Sequence, residues 1–250
     1  MKIQDKYSIL KRVGCGKFSN VFIAKNTLKK SLVVIKFDYN EKTKKLLQNE
    51  INIYIDLLKQ AKSDFIGIKS FGAIASNNYI VMEYIPRNIE EYIRENMSIL
   101  SPLKTFKELT NTLRHLHARG YVHRDLKPDN ILVKGHKIIL IDLGMAAKVS
   151  NKLSTTFVGN LRFSSYNTHL KQYNYGKCDD IISCFYIIFY LFSDNLLPWT
   201  NLMNKDNLST QIMHLDYYKK KRYTDYKKYY TNFERLHELI SAYHKFKFLV

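Results

Sequence analysis

The sequence predicts an α+β fold in which a small, β-rich first part is followed by a larger helical part. Between Tyr7 and Tyr84 lie five short runs rich in β-branched and aromatic residues, and one helical segment interrupts them. After Pro86, apolar residues recur mainly at three- and four-residue steps, which is the period of a helix. With 250 residues, 46% of them apolar, the chain is long enough for one substantial core or two small lobes.

The five β-type runs of the first part are expected to form one antiparallel sheet. They occupy residues 7–13, 21–25, 32–37, 66–75 and 79–84. Between the third and fourth runs, residues 43–62 place apolar side chains on one helical face, with Glu50 in the middle of it. Because a buried carboxylate is costly unless it is paired, we expect a cation from elsewhere in the fold beside Glu50.

Helix signals dominate the second part of the chain. Ser101 followed by Pro102 is typical of an N-cap and a first helical position, and Gly120 is expected to end that helix. Residues 179–192 are apolar on every side, which predicts a helix buried at the centre of a helical lobe. Between these two helices a short hairpin is predicted, with strands at residues 131–133 and 137–141.

Charge and cysteine content bear on compartment and partners. A formal net charge of +18 would attract nucleic acid, anionic lipid or acidic protein, but the basic bias runs along the whole chain instead of forming one stripe. Three cysteines without CxxC spacing predict neither a disulfide framework nor a zinc site. The first twenty residues lack a signal peptide, and the longest apolar run, residues 181–192, is too short to span a bilayer. We therefore expect a soluble intracellular protein, cytoplasmic or nuclear, with no specific nucleic-acid partner and no membrane partner.

One segment of the second part carries a specific motif. Residues 123–130 read HRDLKPDN, and twelve residues after Asn130 come Asp142, Leu143 and Gly144. Upstream, residues 14–21 read GCGKFSNV, and residues 33–36 read VVIK. In this order and spacing the motifs resemble the signature set of the protein kinase superfamily. A GxG pair alone is weak evidence and is more often a hairpin turn, whereas an eight-residue match leaves little room for coincidence.

The resemblance covers roughly residues 7–200 and implies a bilobal kinase fold. In that fold a small antiparallel β lobe carries one helix, and the other lobe is larger and mainly helical. The expectation is a single kinase domain over residues 1–250, with the first lobe at about 1–85 and the second at about 86–250. The C-terminal tail of the second lobe is shorter than is usual in the family.

The resemblance also implies roles in phosphoryl transfer, where the protein mainly positions groups and neutralises charge. Lys36, held by Glu50, would grip the α- and β-phosphates of ATP. Asp125 would orient the substrate hydroxyl and accept its proton, while Lys127 would reach the γ-phosphate. A lysine two residues after that aspartate is the pattern of serine/threonine kinases. The Mg²⁺ ligands would be Asn130 and Asp142.

An ATP pocket follows from the same resemblance. Gly14 and Gly16 would form the phosphate loop, Met82 would be the gatekeeper, and the backbone of Glu83 and Ile85 would bind adenine. For any one of the apolar positions of the slot, plain core packing is about equally expected. These positions are Val13, Val21, Val34, Leu132 and Ile141.

A narrower resemblance appears in residues 159–170, GNLRFSSYNTHL, which look like the casein kinase 1 family. That family has Ser-Ile-Asn-Thr-His-Leu where most kinases have Ala-Pro-Glu. In the family, an arginine at the position of Arg162 helps to bind an anion, which implies acidic or already phosphorylated protein substrates. The alternative is that Arg162 pairs internally with an acidic residue. The function expected is therefore a casein kinase 1-like serine/threonine kinase, acting as a monomer.

Several features depart from the family pattern. Ser19 replaces the third glycine of the phosphate loop, and Leu143 replaces the usual phenylalanine before Gly144. Asn160 stands where serine/threonine kinases have a threonine that bonds the catalytic aspartate. An asparagine can still donate a hydrogen bond, with different geometry. Asp180 matches the aspartate that braces the catalytic loop in this family.

Other functional classes stay open at this point. A pseudokinase scaffold is the first alternative, but such modules usually lack one of Lys36, Asp125 and Asp142, and all are present. A nucleic-acid-binding module rests on net charge alone. Phosphorylation sites in residues 154–156 are weighed against a merely solvated loop, because the family resemblance implies activity without phosphorylation there.

Overall fold

The computed structural model describes residues 2–3, 5–16, 19–59, 65–165, 168, 172–192 and 197. The expectations for residues 17–18 of the phosphate loop, for the side chain of Ser19, for most of residues 166–170 and for the tail after residue 197 lie outside these residues. The described residues fall into two compact units. The first unit is drawn from Met1–Arg87 with Leu132–Ala146, and the second from Asn88–Ile131 with Ala147–Val250.

The first unit contains an antiparallel sheet, which within the described residues has the strand order β1-β2-β3-β4-β6-β5. All five predicted strands are present, and the sequence pattern missed β1 because two residues are too few to show an alternation. The strands are Lys2–Ile3 (β1), Tyr7–Gly16 (β2), Ser19–Asn26 (β3), Leu32–Phe37 (β4), Ile68–Ile74 (β5) and Asn77–Glu83 (β6).

The alternation along β4 gives the sheet two different faces. Val33, Ile35 and Phe37 point into a buried apolar cluster that also contains Tyr79 and Val81 of β6. The residues between them, Val34 and Lys36, therefore lie on the other face of the sheet. Their neighbours across the strand pair are Met82 and Ile80 of β6. One face of the sheet thus packs into the hydrophobic core, and the other face carries Lys36.

Helix α1, Glu41–Leu58, overlaps most of the predicted helical segment, residues 43–62, but begins two residues earlier and ends four residues earlier. Its start is fixed by a capping box: the Thr43 amide donates to the Asn40 side chain at 2.9 Å, and the Asn40 amide donates to the Thr43 hydroxyl at 3.0 Å. The buried face of the helix includes Glu50, as the periodicity predicts.

The first unit is completed by a hairpin and a short turn of 3-10 helix. Strands β8, Ile131–Lys134, and β9, Lys137–Leu140, pair around Gly135, which has a φ of +63°. Asp142, with a φ of +61°, precedes the 3-10 helix Leu143–Met145. Asp142 and Leu143 are thereby placed directly after the hairpin.

The second unit is built on helices α2, Ile89–Asn96, α3, Pro102–Ala118, and α4, Lys177–Phe192. Strands β7, Tyr121–Val122, and β10, Ala147–Lys148, form a small antiparallel pair. The sequence pattern missed α2, which is only eight residues long and begins at an Asn88 capping box. The predicted buried helix is α4, which packs against α3.

Ser101 occupies the N-cap position of α3, but its side chain makes no capping hydrogen bond. Its carbonyl oxygen instead accepts from the Thr105 hydroxyl at 3.0 Å and from the Thr105 amide at 3.0 Å. Pro102 at the first helical position lacks an N–H, so one of the usual unpaired donors is already absent. Among the helices in the described part of the chain, none is both long and apolar enough to cross a bilayer.

Candidate active site

In the first unit, Lys36 lies between two carboxylates. The ammonium group of Lys36, on strand β4, lies 2.7 Å from Glu50 Oε2 on α1 and 2.8 Å from Asp142 Oδ1 after β9. Lys36 and Glu50 are buried, whereas the side chain of Asp142 is 31% exposed. The cation that the sequence requires beside Glu50 is therefore Lys36.

The electrostatics of this group favour a permanently charged lysine. Burial opposes the charge of Lys36, but the adjacent Asp142 and Glu50 outweigh it and hold the pKa of Lys36 above its ordinary value. Burial also raises the pKa of Glu50, and the neighbouring Lys36 cation opposes that rise. The arrangement places a buried positive charge on the sheet, beside a carboxylate that solvent can reach.

The strand register brings part of the predicted nucleotide slot together. Val21 lies opposite both Gly14 and Lys36, and Val34 lies opposite Met82. Among the apolar slot residues, Val13 is 48% exposed and the others are only half-buried. Partial exposure favours an accessible apolar surface over plain core packing. The half-buried positions are Val21 and Val34 in the sheet, Leu132 on β8 and Ile141 after β9.

The predicted hinge begins where β6 ends. The Glu83 amide donates to the Gly67 carbonyl at 2.8 Å, and the Glu83 carboxylate pairs with Lys134 at 2.6 Å. Ile85 is buried. An open pocket of about 290 Å³ adjoins this segment and is lined by residues 83–87 and 133–135. Because the amide of Glu83 already donates to Gly67, this N–H group is not available to a ligand.

In the second unit, hydrogen-bond donors surround the buried carboxylate of Asp125. Asn130 Nδ2 donates to the Asp125 carbonyl at 2.8 Å and to Oδ2 at 3.3 Å. The ammonium group of Lys127 lies 3.4 Å from Oδ2, and Asn160 Nδ2 lies 3.2 Å from Oδ1. The structure thus brings Asp125, Lys127 and Asn130 together, as predicted from the HRDLKPDN motif.

Asn160 takes the place of the family threonine and still donates to the aspartate. The same amide nitrogen donates to the Leu126 carbonyl at 2.8 Å, and its oxygen accepts from the Phe163 amide at 2.9 Å. The preceding Gly159 has a φ of +108°, and a Cβ atom there would lie 2.1 Å from the carbonyl oxygen of Arg124. Only glycine fits where this segment passes the backbone of Arg124.

Asp180, in the first turn of α4, is hydrogen-bonded to the backbone just before Asp125. Its carboxylate accepts from the amides of His123 at 2.8 Å and Arg124 at 3.0 Å, and from the Tyr175 hydroxyl at 3.0 Å. It also lies 2.8 Å from His117 Nε2. Burial acts to raise the pKa of Asp180, but its hydrogen bonds and the neighbouring histidines hold that pKa below its ordinary value.

Sequence reasoning missed His117 and Tyr175 as partners of Asp180. His117 lies 63 residues away in sequence, and no local pattern links the two.

Within the segment that resembles casein kinase 1, Ser165 is buried and donates to Asp179. The guanidinium group of Arg162 lies 5.9 Å from the centre of the Tyr190 ring. Leu143, in place of phenylalanine, is fully buried.

Comparison with known proteins shows which family the sequence belongs to. The protein kinase domain family matches residues 7–246. A probable serine/threonine-protein kinase of Dictyostelium discoideum is 31% identical over 224 residues, which cover 82% of this chain and 44% of the relative. The chain therefore spans less than half the length of that relative. Because the family match extends over nearly the whole chain, the chain belongs to the protein kinase family, and the predicted kinase fold is confirmed.

Proposed function

We propose that this protein is a serine/threonine protein kinase that transfers the γ-phosphoryl group of ATP to a hydroxyl group of a protein substrate. The observation that carries the proposal is Lys36, buried and held at 2.7 Å by Glu50 and at 2.8 Å by Asp142. A pseudokinase scaffold needs no such buried charges, and keeping them without use costs stability. The similarity to a probable serine/threonine-protein kinase supports the same choice.

For ATP, the sheet face offers one charge and an apolar surface. Lys36 binds the α- and β-phosphates near Gly14 and Gly16, and Val13, Val21, Val34, Leu132 and Ile141 pack against the adenine ring. Met82, buried opposite Val34, limits the depth of the slot. Since the Glu83 amide is bonded to Gly67, adenine is bound by the Glu83 carbonyl and by the backbone of Ile85.

For phosphoryl transfer, Asp125 acts on the substrate hydroxyl. The donors around its carboxylate fix its orientation, so that it accepts the hydroxyl proton as the phosphate is transferred. Lys127, next to Asp125, neutralises charge on the γ-phosphate. Asn160 serves Asp125 as the family threonine does, through its donated hydrogen bond.

The oxygen donors fit magnesium. The side-chain nitrogen of Asn130 donates to Asp125. The side-chain oxygen of Asn130 is therefore the atom that would bind the metal. Asp142 offers a partly exposed carboxylate. The described residues contain no cluster of three or more His, Cys, Asp or Glu side chains arranged to hold a metal. Magnesium in phosphoryl transfer needs only one or two protein oxygens, because phosphate oxygens and water complete its shell.

The finer assignment is a casein kinase 1-like enzyme that prefers acidic or already phosphorylated substrates. Residues 159–170 supply the resemblance, and Arg162, lying against Tyr190, is the proposed anion-binding group. We assign residues 1–250 to one kinase domain that acts as a monomer in the cytoplasm or nucleus. Transfer rates on a peptide phosphorylated upstream of its acceptor serine should exceed those on the unphosphorylated peptide, and Arg162→Ala should remove the difference. Equal rates for the unmodified enzyme would contradict the preference.

The enzyme assignment is tested by transfer of labelled γ-phosphate from ATP to casein or an acidic peptide. Asp125→Asn should lower the rate by about 10²–10⁴-fold, as expected for loss of a general base. The matched control is Asp129→Asn, an exposed carboxylate of the same loop, which should transfer at the rate of the unmodified enzyme. Absence of transfer by the unmodified protein, or an Asp125→Asn rate equal to it, would favour the pseudokinase.

A further inference from the structure

Asn49 connects helix α1 directly to the turn that follows Asp142. Its side-chain amide nitrogen donates to the carbonyl oxygens of Gly144 and Ala146, each at 2.9 Å. Asn49 is half-buried and precedes Glu50 in the sequence. The helix that carries Glu50 is therefore hydrogen-bonded to the middle residue of the Leu143–Met145 turn and to the residue that follows the turn.

The same face of α1 approaches this turn closely at a second position. A Cβ atom on Gly144 would lie 3.3 Å from the carbonyl oxygen of Leu46, a contact tighter than side chains normally make. Leu46, Asn49 and Glu50 are spaced by three and four residues, so they lie on one face of the helix. The backbone of the turn packs against that face with little space between them.

The turn needs restraint because of its backbone conformation. Asp142 has a φ of +61°, in the left-handed region that is unfavourable for a residue with a side chain. Its carboxylate is held by Lys36 at 2.8 Å, whereas the backbone after it is held by Asn49. Side chain and backbone are thus fixed by two different residues of the first unit.

We propose that Asn49 is a positioning residue that keeps the carboxylate of Asp142 in its place beside Lys36 by clamping the Gly144 and Ala146 carbonyls. The inference rests on the kinase function proposed above, in which Asp142 holds the metal that accompanies ATP. Asn49 itself touches neither the nucleotide nor the substrate hydroxyl. Its effect is on how strongly ATP with magnesium binds, more than on the rate of transfer once it is bound.

Asn49→Asp is the sharpest perturbation. Aspartate has the same shape, but its carboxylate only accepts hydrogen bonds and would face two carbonyl oxygens. Asn49→Gln keeps the donor on a longer side chain and should restore part of the function. The matched control is Asn52→Ala on the same helix, because Asn52 is exposed and its side chain accepts a hydrogen bond from the Gln48 side chain at 3.1 Å.

The first measurement is amide hydrogen exchange by mass spectrometry on the full chain. The Ala146 amide donates to the Leu143 carbonyl at 3.0 Å and reports opening of the turn. Asn49→Asp should speed exchange in this segment by about tenfold or more, as expected for loss of two hydrogen bonds. Asn52→Ala should leave it unchanged, and Asn49→Gln should fall between them.

The second measurement is the KM for ATP at fixed magnesium, together with kcat. Asn49→Asp should raise KM by about tenfold with a smaller change in kcat, in line with the lost hydrogen bonds. Unchanged exchange and unchanged KM in Asn49→Asp would overturn the proposal, as would equal effects in Asn52→Ala. If Asn49→Asp does not accumulate as folded protein, Asn49→Ala is measured in the same way. A protein that transfers no phosphate would refute the kinase function, and the exchange experiment would still decide whether Asn49 clamps the turn.

Discussion

Asp180→Asn should destabilise the second unit by several kcal/mol, although aspartate and asparagine side chains have the same shape. One carboxylate oxygen accepts from the His123 amide and lies against His117, and the other accepts from the Arg124 amide and the Tyr175 hydroxyl. An asparagine side chain has one oxygen and one NH₂ group. Whichever way it is turned, the NH₂ group faces a backbone N–H that is left without an acceptor.

The expected loss follows from these contacts. Hydrogen bonds to a charged acceptor contribute about 1.5–3 kcal/mol each, and two of them are lost, which gives about 3–6 kcal/mol. For a chain of this size that corresponds to a fall in melting temperature of about 6–24 °C. Catalysis should also fall, because His123 and Arg124 lead directly into Asp125.

The assay is thermal unfolding followed by circular dichroism, with the exposed Asp129→Asn as the control. Asp129→Asn should shift the melting temperature by no more than about 2 °C, as expected for a surface substitution. An Asp180→Asn protein that melts with the control would refute the reasoning that the carboxylate braces the catalytic loop.

Three further predictions follow from the second unit. Gly159→Ala should cost more than about 3 kcal/mol, because its Cβ would lie 2.1 Å from a catalytic-loop carbonyl, whereas Gly135→Ala, with no atom within 4 Å, should cost only about 1 kcal/mol in thermal unfolding. Asn160→Ala should lower kcat about tenfold and Asn160→Thr should lower it less, since threonine can still donate to Asp125; equal losses would contradict this role. The pKa of Asp180 is lowered in the folded state, so its stabilisation is present above the ordinary carboxyl range and is lost as pH falls through the lowered pKa. Asp180→Asn should therefore reduce the pH dependence of melting temperature below about pH 4, and an unchanged acid limb would count against the assignment.

Several residues of the candidate site could be predicted from short segments of the sequence. The carboxylate of Glu50 on an apolar helical face predicted a cationic partner, and the resemblance to protein kinases implied that this partner is Lys36. Each charge is costly without the other, and the structure contains their ion pair. The strands were predicted for a similar reason, since alternation of buried and exposed residues is a local property. An asparagine at position 160 was expected to be able to donate where the family has a threonine, and Asn160 donates to Asp125 at 3.2 Å.

The supporting groups were harder to predict because their partners lie far away in the chain. His117 meets Asp180 across 63 residues, and Asn49 meets the carbonyl of Gly144 across 95. A half-polar helix face offers no signal that one asparagine on it bonds backbone carbonyls elsewhere. Ser101 is a different case: it is the N-cap of α3, as its residue type and the following proline predicted, although its side chain makes no capping hydrogen bond.

The first unit is discontinuous in sequence, and this affects the order in which it can assemble during synthesis. It combines Met1–Arg87 with Leu132–Ala146, so the ribosome makes most of it well before the remainder. Lys36 and Asp142 are 106 residues apart, which at usual elongation rates is a delay of about 5–20 s. During that interval the ammonium group of Lys36 has only Glu50 as a partner within its own unit. A nascent chain stalled before residue 132 should therefore hold α1 less firmly than one that has passed residue 146, and the two should differ in sensitivity to protease.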